Sequence, residues 1–412
     1  MINRKNITEV FTPRQSEVND DMYVERPRHE KALKRALNRN SHSLVFGESG
    51  NGKSWLYKKV LSENSIPHVI ANCANASRLK SITQEICNCI IEPGTVNKLG
   101  FNEEKVAEIN AYFAKGGLKH NSNYDIAQEE PLLKAFRVFH ESNDSKKIIV
   151  LDNLESIFDS VELMNELADI IILLDDERYS TCNINFLIVG VPSGVLQYFS
   201  ETKNVESVSN RINEIDKVVG LDSGQVMEIV KKGFDQLAIK ITGEKLIQLA
   251  RQVYFITLGI PQRVHEYCES LAYEIEDNDW KYERSLWTKA NLQWLKQGLR
   301  QSYNVIDCHW GNRSTAVARK NQVIYCIGNI STHQFDSKKI DAMIRVEFPS
   351  TIPKTNMGIG SILSKLSEGT TPLLNKSDNN YSIRDPRFLM CIRTVIYKDA
   401  SKQTVIKKNF KV

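Results

Sequence analysis

At 412 residues the chain exceeds one ordinary hydrophobic core, so two or three domains are expected. With 41% hydrophobic and 25% charged residues it has the composition of a soluble globular protein. No apolar run reaches the roughly 18 residues of a membrane span, and Met1–Asn6 lacks the apolar core of a secretion signal, so a cytoplasmic protein is expected. The net charge of +4 conceals a division. Residues 313–412 hold 17 Lys+Arg against 7 Asp+Glu, net +10, and residues 1–312 hold 37 against 43, net −6. A basic end on an acidic body suggests a polyanionic partner for that end. The eight cysteines form no C-x-x-C pair, which reads as a reduced protein with inert thiols.

Residues 1–20 show no period and read as a loose arm. The extended stretch Tyr23–Pro27 precedes a helix over about 28–40, with Ala32, Leu33, Ala36 and Leu37 on one face. Ser43–Phe46 reads as a strand and Trp55–Leu61 as a helix. Between them stands Gly47-Glu48-Ser49-Gly50-Asn51-Gly52-Lys53-Ser54, which fits G-x-x-x-x-G-K-[ST], the phosphate-binding P-loop. The glycines let the backbone wrap a phosphate, and the helix behind adds its positive end. Lys53 is expected to reach the β- and γ-phosphates of ATP, and the Ser54 hydroxyl to ligate Mg²⁺.

His68–Cys73 reads as a second buried strand and Leu79–Ile91 as a helix. The polar, glycine-containing stretch 92–130 reads as an insertion, helical around 103–114. Pro131 opens another amphipathic helix. Lys146–Glu155 is a continuous apolar run ending in Asp152, the pattern of a buried parallel strand with a carboxylate at its ligand-facing end. Asp152 is therefore the expected Walker B carboxylate on the Mg²⁺ side. Asn153 follows it. An amide can hold a water but cannot take its proton, so slow hydrolysis is expected, with Glu155 as a substitute base. Residues 161–174 read as an apolar helix and Ile184–Ser193 as another buried strand.

From 221 to 300 the period is helical throughout, with helices from about 224 to 237, from 242 through 255, and from 259 through about 276. Trp280, Trp287 and Trp294 recur every seven residues and are expected on one helix face. The C-terminal region reads as helices over 318–330, 336–348 and about 356–367, then a hairpin around Ser377–Asn380. That order is a winged helix-turn-helix. Its third helix would present Thr355, Asn356, Ser361 and Lys365 to duplex DNA, with Lys376 and Arg384 on the wing meeting phosphates.

Together, Gly47–Ser54, Ile148–Asn153, Arg211, Gly259-Ile260-Pro261-Gln262-Arg263 and the hairpin ending in Tyr381–Phe388 resemble the AAA+ ATPases of the origin-recognition and replication-initiator group. They also resemble the related bacterial transposition and STAND-type ATPases. The resemblance covers about 21–400. It implies an α/β fold: an AAA+ parallel-sheet P-loop core (21–220), a helical lid (221–300) and a winged-helix domain (301–412). It implies that Val24 and Arg26 flank the adenine, and that Ser193 or Asn185 senses the γ-phosphate. It further implies that Arg211 reaches a neighbouring subunit's nucleotide as a finger in a homo-oligomer, and that Arg263 in the lid touches the bound nucleotide.

Two functions compete under this resemblance. One is an ATP-gated DNA-binding protein. The other is a nucleotide switch of a bacterial antiviral or mobile-element system that grips a protein effector such as a nuclease. A metabolic P-loop enzyme such as a kinase is a third reading, and no acceptor-site signature supports it.

Overall fold

A computed structural model describes residues 4–91, 130–141, 145–191, 199–200, 202, 204–311, 318–399, 401 and 403–410. Ser193 and residues 92–129 of the expected insertion lie outside them. The chain divides into two compact units. A sheet unit comprises residues 15–19 and 25–219, and a helical unit the stretches 1–14, 20–24 and 220–412.

Five parallel strands form the centre of the sheet unit: β1 His42–Phe46, β2 His68–Asn72, β3 Lys147–Asp152, β4 Ile184–Gly190 and β5 Ile212–Glu214. Their order is β2-β3-β4-β1-β5. The apolar runs are continuous because both faces are covered. Along β3, Ile149 and Leu151 join the cluster made with helices Ile82–Ile91, Pro131–Glu141 and Val161–Leu173. The alternate residues Ile148 and Val150 join the cluster made with helices Pro27–Leu37 and Lys53–Glu63. In β4, Phe186 and Ile188 take the first face, and Leu187 and Val189 the second. Each such side chain, fully withdrawn from water, contributes about 1.5–3 kcal/mol. Every strand therefore runs in one direction between two apolar layers, with its C-terminus at the same edge as the loop after Phe46.

The helical unit holds helices Ser223–Gln236, Glu244–Thr257, Pro261–Glu276, Leu286–Trp294 and Arg300–His309. Three further helices follow, Arg319–Gly328, Ser337–Glu347 and Ile359–Leu366, and then the hairpin β7 Leu374–Ser377 and β8 Asn380–Ile383. With β6 Gln334–Phe335 the hairpin makes an antiparallel sheet of order β6-β8-β7. Helix Pro386–Val395 and a second hairpin, β9 Ile396–Asp399 with β10 Thr404–Lys407, complete the unit. One apolar cluster runs through all of it.

Three expectations change. The N-terminal arm is not loose: Ile7, Val10 and Phe11 are 3, 0 and 1% exposed, and a capping box between Asn6 and Glu9 starts a short helix there. A Cβ at Gly233 would stand 2.4 Å from the Phe11 ring, so a glycine is needed for that approach. Trp280 does not share a helix face with Trp287 and Trp294. It lies in a turn with φ 61° and stacks under the Arg4 guanidinium at 4.6 Å. Trp294 is 1% exposed and meets Tyr267 edge-on at 5.5 Å. The third helix of the C-terminal region starts at Ile359, behind Gly358 in the left-handed conformation, and not at about 356.

Candidate functional site

The loop between β1 and helix Lys53–Glu63 is shaped by its glycines. A Cβ on Gly47 would lie 2.2 Å from the Val218 carbonyl oxygen, an overlap no side chain survives. Gly50 and Gly52 have φ of 83° and 78°, and Gly52 caps the helix. Ser54 sits in the first helical turn, where backbone N–H groups lack intrahelical partners. Lys53 Nζ turns into the loop and donates to the carbonyls of Gly47 (2.7 Å) and Glu48 (3.2 Å). Burial pulls the Lys53 ammonium below its ordinary pKa, and the carboxylates of Glu155, Asp152 and Glu48 oppose that shift. Ser49 is exposed at the outer turn of the loop.

Asp152 ends β3 beside Asn72, its register partner on β2. One carboxylate oxygen accepts the Asn153 backbone N–H at 2.9 Å, and the other accepts the Tyr57 hydroxyl at 2.9 Å. Burial, and then the Asp152 charge, push the Tyr57 phenol well above its usual range, so it stays a donor. Asn153 has φ 60°, a left-handed conformation that Asn tolerates better than Glu. Its side chain donates to Asn72 Oδ1 at 3.3 Å. Glu155 is exposed on the 3-10 turn Leu154–Ile157. Among the described residues no group of three or more His, Cys, Asp or Glu could hold a metal. A divalent ion at Asp152 and Ser54 would therefore need oxygens from a ligand, which is how Mg²⁺ sits with phosphates.

Arg26 differs from the expectation of a residue facing adenine. It is 7% exposed, and its guanidinium donates to the carbonyls of Asn51 (2.9 Å) and Val219 (3.1 Å). Asn51, 3% exposed, donates to the Val218 carbonyl at 3.0 Å, and Lys217 pairs with Glu48 at 3.1 Å. The Val218 N–H donates to Phe46 at 2.8 Å. Residues 217–219 thus strap the loop, a part the sequence reading missed. Val24 belongs to the helical unit, buried in its apolar cluster. Arg263, also in that unit, pairs with Glu266 at 2.7 Å.

The opposite edge of the sheet holds the other candidates. Asn185 is the second residue of β4, about 17 Å along the strand from Gly190. Its amide donates to the Ser41 carbonyl at 2.9 Å, so it cannot sense a phosphate at the loop. Arg211 precedes β5 at the same edge, bonded to Asp175 at 2.6 Å and to the Ser207 carbonyl at 2.6 Å. In its own subunit it does not meet the loop. Both line a polar cavity of ≈ 450 Å³ together with His42, whose Nδ1 accepts the Phe186 N–H at 3.0 Å.

In the C-terminal region Ser361 and Lys365 are exposed on helix Ile359–Leu366. Lys376 is exposed on β7, and Arg384 just after β8. Thr355 and Asn356 are exposed in the turn before the helix, where Asn356 Oδ1 accepts the Gly358 N–H at 2.8 Å. No helix of the described residues is long and apolar enough to cross a membrane.

Residues 36–199 match the AAA domain family. A comparison with curated proteins returns no match. Among solved structures the fold is similar to the Walker-type ATPase PABY2304 of Pyrococcus abyssi, at 17% identity and a TM-score of 0.50, covering 90% of this chain and 96% of that one. The ORC2 protein of Aeropyrum pernix aligns at 14% identity over 90% of this chain and 94% of that one, with a TM-score of 0.49. The ORC1 protein of the same organism, in complex with DNA, aligns at 10% identity over 93% and 95%, with a TM-score of 0.44.

Proposed function

We propose, on the match of residues 36–199 to the AAA domain family, that the protein is an ATP-binding AAA+ ATPase whose nucleotide state gates oligomerisation and duplex-DNA binding. The observation that carries nucleotide binding is the glycine cradle with Lys53 turned onto the Gly47 and Glu48 carbonyls and with Asp152 ending β3. An ammonium folded onto neutral carbonyls exchanges them favourably for phosphate oxygens, because charge-assisted bonds are the stronger ones. Gly47, Glu48, Ser49, Gly50, Asn51, Gly52, Lys53 and Ser54 would hold ATP, and Ser54 and Asp152 the Mg²⁺, which supplies charge neutralisation at the phosphates. Arg26 would act by holding the loop. Ser193 and Arg263 keep the phosphate-sensing and lid roles that the resemblance implies, and Arg211 serves a neighbouring subunit.

Hydrolysis is slow in this reading, because Asn153 cannot take a proton from water. Glu155 is the base to test. Single-turnover hydrolysis in Glu155→Gln should fall at least tenfold, and an unchanged rate would remove Glu155 from the mechanism.

The DNA part rests on the net charge of +10 over 313–412 and on the exposed Ser361, Lys365, Lys376 and Arg384 on and beside helix Ile359–Leu366 and the β7–β8 hairpin, read as a winged helix. Thr355 and Asn356 would touch DNA from the turn rather than from the helix. The second reading, a switch that grips an effector protein, would use the same basic end. Equilibrium binding of labelled duplex DNA with ATP, ADP or neither, at two salt concentrations, decides between them. Tight binding in ATP that weakens steeply with salt and disappears in Lys53→Ala is the expected result. No binding in any nucleotide state would overturn the DNA reading in favour of a protein effector.

A further inference from the structure

A second cavity, ≈ 660 Å³, lies wholly within the helical unit. Its walls come from helices Glu244–Thr257, Leu286–Trp294, Arg319–Gly328 and Pro386–Val395 and from the β9–β10 hairpin with its following residue. It contains none of the residues assigned to ATP or to duplex DNA.

Its charge is one-sided. Arg284, Arg393, Lys398 and Lys408 line it, and none of the described lining residues is Asp or Glu. Lys398 has a carboxylate partner, Glu347 at 3.0 Å. The other three have none among the described residues. Arg393 is the telling one. Its guanidinium donates to the carbonyls of Gly328 (2.7 Å), Phe255 (2.8 Å) and Ile330 (3.3 Å) and lies 4.4 Å from the Phe255 ring centre. Carbonyl dipoles and a ring face hold this half-buried cation in place without neutralising it, and two of its five donors remain. An anion in the cavity would satisfy both needs.

The walls also carry flat faces. Tyr397 is 42% exposed with the Lys408 ammonium 5.7 Å from its ring, and the Arg284 guanidinium lies 5.2 Å from the Trp287 ring. Asn291, 5% exposed, has a side-chain oxygen with no donor among the described residues. Cations next to aromatic faces, with an amide acceptor close by, match a ligand that joins a phosphate to a base bearing N–H groups. The volume is that of a small-ligand pocket.

We infer that this cavity binds a nucleotide distinct from the one at the P-loop, taken either free or from the end of a single strand. Calorimetry on the full chain carrying Lys53→Ala, which removes the P-loop lysine, tests it with AMP and with a 5′-phosphorylated deoxyadenosine dinucleotide as probes. One site per chain is expected. Trp287→Ala and the double variant Arg284→Ala/Lys408→Ala should each weaken binding at least tenfold, Trp287→Phe less than threefold, with melting temperatures held. AMP binding as tightly as the dinucleotide would identify a free nucleotide as the ligand; a tighter dinucleotide would identify a strand end. No heat from either probe at millimolar concentration would overturn the inference. So would binding that all three variants leave unchanged.

Discussion

Where the strands of the parallel sheet end, at Phe46, Asn72 and Asp152, polar groups keep capacity to spare. Where they begin, at His42, Ile184 and Ile212, the protein consumes them itself. Lys53 and Asp152 hold only weak or replaceable partners: loop carbonyls, a phenol and a neighbouring N–H. At the other edge His42 accepts the Phe186 N–H, Asn185 secures the Ser41 carbonyl and Arg211 is pinned by Asp175. The apolar runs are alike at both edges, so the strands do not make the difference. It comes from the helix that starts directly behind the β1 loop and from the carboxylate at the end of β3, which turn one edge of a symmetric-looking core into the candidate binding edge.

The sharpest way to break this contrast is Gly47→Ala. Its methyl would meet a backbone oxygen held by the strap, so ATP affinity should drop ~100-fold or more by calorimetry, a change above about 2.7 kcal/mol. Retained affinity would mean the strap yields. Acid tests the consuming edge. Burial pushes His42 down to about 4 from 6.5, and His265, in the helical unit, likewise to about 4. Between those values the unfolded chain binds protons that the folded chain refuses. Stability is therefore complete above about pH 6.5 and falls as pH drops toward 4, by up to about 3 kcal/mol per histidine. Thermal melting from about pH 7.5 to about pH 4.5 should show it. An unchanged melting temperature would mean that neither imidazole is held neutral.

Tyr57→Phe is a smaller perturbation. It removes one donor from Asp152 and should cost about 1 kcal/mol in urea unfolding. A stabilised variant would show that the phenol is strained against the carboxylate. Smallest of all, Arg211→Ala should change the ATP affinity of dilute protein less than ~2-fold, since it breaks only a part-exposed ion pair at the far edge. A larger change would erase the distinction between the two edges.

The binding edge was legible because its signals are local. Eight consecutive residues define the loop, and an apolar run with a terminal carboxylate defines β3. Asn72 carried the same signal as Asp152, a polar residue ending an apolar strand, and could have been read the same way. The strap was not legible, since Arg26 meets Val219 and Asn51 meets Val218 across more than 160 residues of sequence, and no short-range pattern joins them. Val24 and Arg26 are neighbours in an extended segment, yet one enters the core of the helical unit and the other holds the loop. Periodicity misled at Trp280, where the turn-forming run Asp277-Asn278-Asp279 outweighs a seven-residue spacing. It misled again at Asn356, whose side chain closes the turn that delays the next helix to Ile359. At the N-terminus the Asn6–Glu9 box was a readable helix start next to Ile7, Val10 and Phe11.

The strap is also a tether. Val218 and Val219, whose carbonyls accept from Asn51 and Arg26, are the last residues of the sheet unit, and Gly220 opens the 220–412 stretch of the helical unit. Any force drawn along the chain at Gly220 is borne first by three hydrogen bonds, the Val218 N–H to the Phe46 carbonyl among them, and by the close contact at Gly47. Those links are in series with the loop Gly47–Ser54 and with the end of β1, so a pull on the tether would reach the glycine loop and the Phe46 carbonyl before any other part of the sheet.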